Sequence, residues 1–231
     1  MIIIENLYKS YDKMVLKDIN LNIKGNRIVG LIGKNGSGKT TLLKIISSIV
    51  KPSSGKITIF NKEIGYKSRE IVSYMMDENI LFKGMTVKEA LEFYKMFFWD
   101  FNEGNAKGML AEFQIDLSKK INTLSRGNLE KLNVALTFSR KAKVYLLDEP
   151  LAGVDPEDRV RVIDTILNNF EEGSIMIIST NLISEIEYIL DDVIFLKSGE
   201  VAIYSSIDDL KGLGIQSIRE LFMEESNEKS F

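Results

Sequence analysis

The 231-residue chain has no cysteine and no histidine, three prolines and one tryptophan. Without thiols it can build neither a disulfide nor a thiolate metal site, a composition that fits a reducing interior. Without imidazole it lacks the side chain that ordinarily carries and passes a proton near neutral pH. The formal net charge is −3, so the large basic field expected of a nucleic-acid binder is missing and no nucleic-acid partner is expected. No apolar run approaches the ~18–20 residues needed to cross a bilayer. Met1–Ile4, followed at once by Glu5, is too short for the core of a secretory signal. The expectation is a cytoplasmic protein, free or peripheral to a membrane, with residues enough for one large core or two tightly joined subdomains.

What is present is Gly33–Thr40, reading Gly-Lys-Asn-Gly-Ser-Gly-Lys-Thr, a full match to G-x-x-x-x-G-K-[ST]. Arg27–Ile32 before it reads as a buried strand and Thr41–Ile49 after it as a helix, the context a phosphate-binding loop requires. Gly33, Gly36 and Gly38 give the backbone freedom to turn successive N–H groups toward an anion, with Lys34, Asn35 and Ser37 between them. The following helix brings the positive end of its dipole to the same point. Lys39 then reaches the β- and γ-phosphates, and Thr40, followed by Thr41, supplies a hydroxyl for Mg²⁺.

Strand patterns cover Ile2–Leu7 and Leu16–Ile23, joined by a polar link at Tyr8–Lys13. Lys51–Gly55 is a turn, and Lys56–Phe60 and Ile71–Met76 read as strands, the latter leading into a loop at Asp77–Gly84. From Thr86 the period becomes helical, and Thr86 with Glu89 forms a capping box. Helical pattern continues through Ala106–Phe113 and Leu129–Arg140, with a break at Asn122–Asn128. Val144–Leu147 and Ser174–Ser179 are apolar strands flanking a helix at Glu157–Asn169 that opens with Pro156. Val193–Lys197 and Glu200–Tyr204 pair across Ser198-Gly199, and a short helix from Ile207 precedes a frayed acidic tail. The fold class is α/β: a phosphate-loop core with a mostly parallel sheet, an N-terminal antiparallel β element and an inserted helical subdomain. One domain is expected, its core near 1–84 and 141–231 and its helical part near 85–140.

Two further motifs accompany the loop. Val144–Pro150 is an apolar strand that delivers Asp148 and Glu149 at its C-terminal end, where open α/β sheets place ligands. Asp148 is assigned to hold Mg²⁺ and Glu149 to polarise an attacking water. Thr123–Asn128 opens a helix, where Ser125 and Gly127 either bind a second phosphate-like anion or, for Ser125, simply cap the helix.

A phosphate loop, a helical block, a Leu-Ser-x-Gly segment and an Asp-Glu-Pro strand, in that order, resemble the nucleotide-binding subunit of ABC transporters over essentially the whole chain. The resemblance implies ATP and Mg²⁺ as ligands, with Asn35–Thr41 cradling the phosphates. It implies that Tyr11 stacks on adenine, against the alternative of a half-buried tyrosine at a strand end. Leu124–Asn128 would cap the ATP bound by an opposite subunit in a homo- or heterodimer, and Ala152–Asp155 would cross the seam, Asp155 also being placed to cap a helix. It implies a separately encoded integral membrane permease, in the manner of the drug- and peptide-exporter branches. The aromatic stretch Phe93–Phe101 would line the groove for that permease, or else form the helical subdomain's own core. A clamp acting on nucleic acid or ribosomes usually has paired domains or basic insertions, which are missing here. A regulatory subunit with weak hydrolysis is the other alternative.

Three positions depart from the family pattern. The signature reads Leu-Ser-Arg-Gly-Asn, so Arg126 replaces a glycine and adds a cation near an arriving γ-phosphate. Asp77 stands where a glutamine usually touches Mg²⁺, and a carboxylate is a good hard-metal ligand. Asn181 stands where the family has its switch histidine. An amide can donate a hydrogen bond to the γ-phosphate but carries neither charge nor a transferable proton. Hydrolysis is therefore expected to be slow, and Asn181→His should raise turnover by up to ~10²-fold; single-turnover ATPase assays check this, and an unchanged rate removes Asn181 from the catalytic set.

Overall fold

The computed structural model describes residues 1–78, 80–82, 84–215, 217, 218 and 220–222; the expected acidic tail at 223–231 lies outside them. In chain order the elements of the first half are β1 (Ile2–Ser10), β2 (Met14–Ile23), β3 (Arg27–Ile32), α1 (Lys39–Ile46), β4 (Ser54–Ile59), β5 (Lys62–Glu63), α2 (Tyr66–Arg69) and β6 (Val72–Met75). Then follow α3 (Val87–Phe97), α4 (Glu103–Glu112) and α5 (Arg126–Phe138). The rest comprises β7 (Val144–Asp148), α6 (Pro156–Asn168), β8 (Ile175–Ser179), α7 (Ile183–Ile186), β9 (Asp192–Lys197), β10 (Glu200–Ser206) and α8 (Ile207–Gly212).

The strands form two sheets. One is antiparallel, in the order β2-β1-β4-β5; the other runs β10-β9-β3-β8-β7-β6 and is parallel except at β10. The central strands β7 and β8 are buried along their whole length because both faces of the sheet are covered. Along β7, Val144 and Leu146 join the core shared with the antiparallel sheet and α1, while Tyr145 and Leu147 join the core under the helices. The same alternation divides β8, with Ile175 and Ile177 on one side and Met176 and Ile178 on the other. The result is a layered α/β structure with the parallel sheet in the middle.

Local chemistry sets the element ends. Thr86 Oγ1 accepts from Glu89 N at 3.2 Å and Glu89 Oε2 accepts from Thr86 N at 2.7 Å, the expected capping box. α4 begins three residues ahead of the expected Ala106, because Asn102 Oδ1 accepts from Asn105 N at 3.0 Å and nucleates a turn whose poor helix formers hid it. α1 likewise starts at Lys39, two residues ahead of Thr41, since Gly38 at φ 109° ends the loop. Pro156 is the first residue of α6, but the Asp155 side chain makes no capping bond there. α2, a single turn, was not legible in the sequence. Ser198 and Gly199, with φ of 49° and 83°, close the β9–β10 hairpin as expected.

One buried ion pair pins the helical block α3–α5 to the sheet. Arg140 Nε and Nη2 reach Asp100 Oδ1 and Oδ2, each at 3.1 Å. Its remaining donors serve Val72 O at 2.9 Å and Glu70 O at 3.1 Å, on and just before β6. The Phe98 ring centre lies 4.1 Å from the guanidinium carbon, so four of the five N–H donors are used and one face is covered. Both side chains are almost fully buried, at 5% and 2% exposure. Removing one partner strands the other charge, so Asp100→Ala should cost about 3–5 kcal/mol, measured as a fall in the urea midpoint; a loss under about 1 kcal/mol would mean an exposed-type pair.

Candidate functional site

β3 ends at Ile32 and the chain turns at once into the phosphate loop. A Cβ at Gly33 would sit 2.3 Å from Leu196 O on β9, so this position needs glycine for close approach. That reason differs from the backbone freedom expected of it: the positive φ values belong to Gly36 and Gly38, at 79° and 109°. Gly38 precedes α1 without a side-chain cap, which leaves the first-turn amides of α1 free to meet an anion. Lys39 is buried, and its Nζ donates to Gly33 O at 2.7 Å. Burial lowers its pKa, against the opposing pull of Glu149 and Asp148. Ser37 Oγ is buried with no hydrogen-bond partner among the described residues.

These groups border a cleft of about 660 Å³. The loop contributes Asn35, Gly36, Gly38, Lys39, Thr40 and Thr41 to its wall; β7 and the following turn contribute Asp148, Glu149 and Ala152. Asn181, Asp77, Arg126 and Val15 complete it. Gly33, Lys34, Ser37, Ser125, Gly127 and Tyr11 are not part of that wall. Tyr11 directly follows the end of β1 and is 56% exposed; Lys9 Nζ stands 4.5 Å from its ring centre. Ser125 is the N-cap of α5, with Oγ accepting from Asn128 N at 3.2 Å.

Asp148 is 1% exposed. Ser179 Oγ donates to its Oδ1 in a short bond, and Tyr74 Oη donates to its Oδ2 at 3.3 Å. Burial, reinforced by the facing carboxylate, pushes the Tyr74 phenol far above its ordinary pKa, so it stays a donor. Neither Tyr74 nor Ser179 was singled out in the sequence. Ser179 pairs in register with Asp148 across β7 and β8, and Tyr74 sits on the neighbouring strand β6; strand order is the missing information. Among the described residues no group of three or more acidic, histidine or cysteine side chains forms a metal cage. One carboxylate held at both oxygens, facing the same cleft as the Thr40 hydroxyl, fits Mg²⁺, which takes few protein ligands and shares the rest with phosphates and water.

Glu149 follows in a left-handed conformation, φ 53°, uncommon outside glycine and costly enough to mark a site. Its N–H donates to Ser179 O at 2.9 Å. Its carboxylate accepts from Asn181 N at 3.3 Å, and burial raises its pKa against that bond and the Lys39 charge. The Asn181 side chain donates to Asn35 Oδ1 at 3.0 Å, bridging the end of β8 to the phosphate loop.

Two departures from the family pattern meet each other. Arg126 Nη2 stands 3.8 Å from Asp77 Oδ1, and a Cβ on Gly153 would fall 2.4 Å from Arg126 Cγ. The glycine of the Ala152–Asp155 loop is thus what lets Arg126 cross it. The aromatic stretch is divided between core and surface. Phe101 is buried, Tyr94 and Phe98 pack on the core while lining a second groove of about 180 Å³, and Trp99 is 87% exposed.

A phosphate loop, a strand-end Asp-Glu pair and a Ser-capped signature helix on this layered sheet define an ATP-binding cassette. The chain belongs to the ABC transporter family, whose model matches residues 16–152. It is 30% identical over 236 residues to the linearmycin resistance ATP-binding protein LnrL of Bacillus subtilis (strain 168), covering 97% of this chain and 75% of that protein. The solved ATP binding subunit of an ABC transporter superimposes with TM-score 0.86 at 25% identity, covering 98% of this chain and 100% of that one. The dimeric structure of MJ0796, a bacterial ABC transporter cassette, gives 0.78 at 25% identity and covers 90% and 99%.

Glu130, one turn beyond Arg126 on α5, has a buried Oε2 without a partner among the described residues. Burial pushes its pKa up to about 7, Arg126 opposing and Asp77 adding to the rise. A raised carboxylate pKa means that the folded state binds more protons than the unfolded one, whose value is about 4.3. Its contribution is present below that lower value and is lost as pH climbs to about 7. Melting curves should show this loss in the parent chain, and Glu130→Gln should flatten the decline between these limits; an unchanged slope would place the titration elsewhere.

Proposed function

We propose that this chain is the ATP-hydrolysing subunit of a transporter whose permease is separately encoded, working as a homo- or heterodimer on the cytoplasmic face of the membrane to export drugs or peptides. The observation that carries the reading is one cleft in which Lys39 and Thr40 of the phosphate loop face Asp148 and Glu149 at the end of β7. Ser125 and Gly127 lie outside its wall and only Arg126 of their segment joins it. A second cassette offers the complementary half, as the dimeric MJ0796 cassette suggests. The drug-resistance name of LnrL supports the exporter branch, and no helix among the described residues is long and apolar enough to cross a membrane.

In this reading the loop amides and Lys39 hold the β- and γ-phosphates, and Tyr11 stacks on the adenine with its uncovered face. Asp148 and Thr40 hold Mg²⁺, with Asp77 as a further ligand; the ion neutralises phosphate charge. Glu149 orients the water and takes its proton, its raised pKa favouring that task. Asn181 donates to the γ-phosphate without carrying charge. The second groove, with Ile49, Ile80, Tyr94 and Phe98 on its walls, receives a cytoplasmic helix of the permease.

Glu149→Gln blocks hydrolysis while keeping the amide-lined cleft. With Mg·ATP this variant should sediment as a pair, and with Mg·ADP as a single chain; a single chain in both conditions would sink the proposed assembly.

A further inference from the structure

Two cations and three carboxylates stand on the wall of the phosphate cleft: Lys39 and Arg126 against Asp77, Asp148 and Glu149. The cations differ in freedom. Lys39 is buried, and its Nζ is engaged with Gly33 O at 2.7 Å. The Arg126 side chain is 66% exposed, and its Nη2 stands 3.8 Å from Asp77 Oδ1, near enough to attract but beyond hydrogen-bond range. Its root is fixed all the same. Ser125 caps α5 by accepting from Asn128 N, and a Cβ on Gly127 would fall 2.8 Å from Gly153 O. The Arg126 stem lies across Gly153, where a Cβ would fall 2.4 Å from Cγ and 2.9 Å from Cδ. An anchored stem thus holds a weakly partnered guanidinium at the cleft wall.

We propose that Arg126 contacts the terminal phosphate of the nucleotide bound in its own chain's cleft, giving up Asp77 for that phosphate when Mg·ATP arrives. This contact rests on the reading of the cleft as an ATP site. It lies within one chain, and so is separate from the cross-subunit role that the family resemblance gives to Leu124–Asn128. Exposed pairs such as Arg126 and Asp77 are weak, and parting them costs little. Mg·ATP offers each member a stronger complement, the metal for Asp77 and phosphate oxygens for Arg126. The planar fork of arginine fits those oxygens with paired N–H groups. Hydrolysis also calls for such a group. Asn181 carries no charge and the chain has no histidine. Charge gathering on the γ-phosphate is then met by Mg²⁺, by Lys39 and by the other cation of the wall, Arg126.

The test compares binding of a fluorescent ATP analogue and the matching ADP analogue, with Mg²⁺, in the Glu149→Gln background so that hydrolysis plays no part. Chains are kept dilute enough to sediment singly. Arg126→Met keeps the stem and removes the charge; it should weaken the triphosphate by about ten- to hundredfold, the scale of a lost hydrogen bond between charged groups. The diphosphate should bind nearly as before, and Arg126→Lys should recover part of the difference, since charge returns without the fork. Equal weakening of both analogues, or a lower melting temperature with triphosphate binding unchanged, would reduce Arg126 to a general or structural part and overturn the proposal. A loss seen only at concentrations where chains pair would move the contact to the opposite subunit and overturn it as well. Single chains suffice for the readout, so a failure of Glu149→Gln chains to pair would sink the transporter assembly while leaving this result readable.

Discussion

Backbone hydrogen bonds between β3, β8 and β7 bring Leu31, Ser179 and Asp148 to one level of the parallel sheet. β7 and β8 end at that line and β3 one residue beyond it, and each segment then turns in its own way. β3 passes into the phosphate loop beneath β9, where only glycine fits at position 33. β7 passes into Glu149 in a left-handed turn, and β8 passes into Thr180 and Asn181. The cross-strand bond from Ser179 to Asp148 and the amide bond from Asn181 to Glu149 are consequences of that register. A slip of one residue in β8 would exchange the two faces of the strand and remove both. The site is therefore an edge of the sheet, built by ladder geometry before any ligand is considered.

Around that edge the unusual residues of this chain compensate one another. Arg126 brings a cation where the family pattern has glycine, and Asp77 brings a carboxylate where it has a neutral amide; the two stand opposite each other with Gly153 making room. The pair is largely exposed, and such pairs contribute little to stability. Its interest is positional, since it links the signature helix to the loop after β6 across the mouth of the cleft. Glu130 sits within the field of both charges, which ties the ionisation of a buried carboxyl to the same corner.

The helical block meets the sheet through Arg140 and Asp100 and through aromatic packing. That junction also forms the second groove, whose wall includes Tyr94 and Phe98 on α3 and its end, Arg140 after α5 and Tyr74 on β6. Attachment and accessibility coexist there because the guanidinium makes four hydrogen bonds while Ile49 and Ile80 on the same groove stay exposed.

Local sequence determined the elements whose cause is local. Gly33–Thr40, the Thr86–Glu89 box, Pro156 at the start of α6 and the Ser198-Gly199 hairpin were legible because turn, cap and loop chemistry act within a few residues. The Asp148–Glu149 pair was legible because an apolar strand ending in carboxylates has few structural uses. Tertiary structure alone decided which strands are neighbours, and hence that Ser179 and Tyr74 hold Asp148, that Asn181 reaches Asn35, and that Arg126 faces Asp77. It also decided why Gly33 is glycine: the obstruction is a carbonyl on β9, more than a hundred and sixty residues away in the chain. No periodicity or spacing encodes such contacts, because they depend on the order in which separate strands join the sheet.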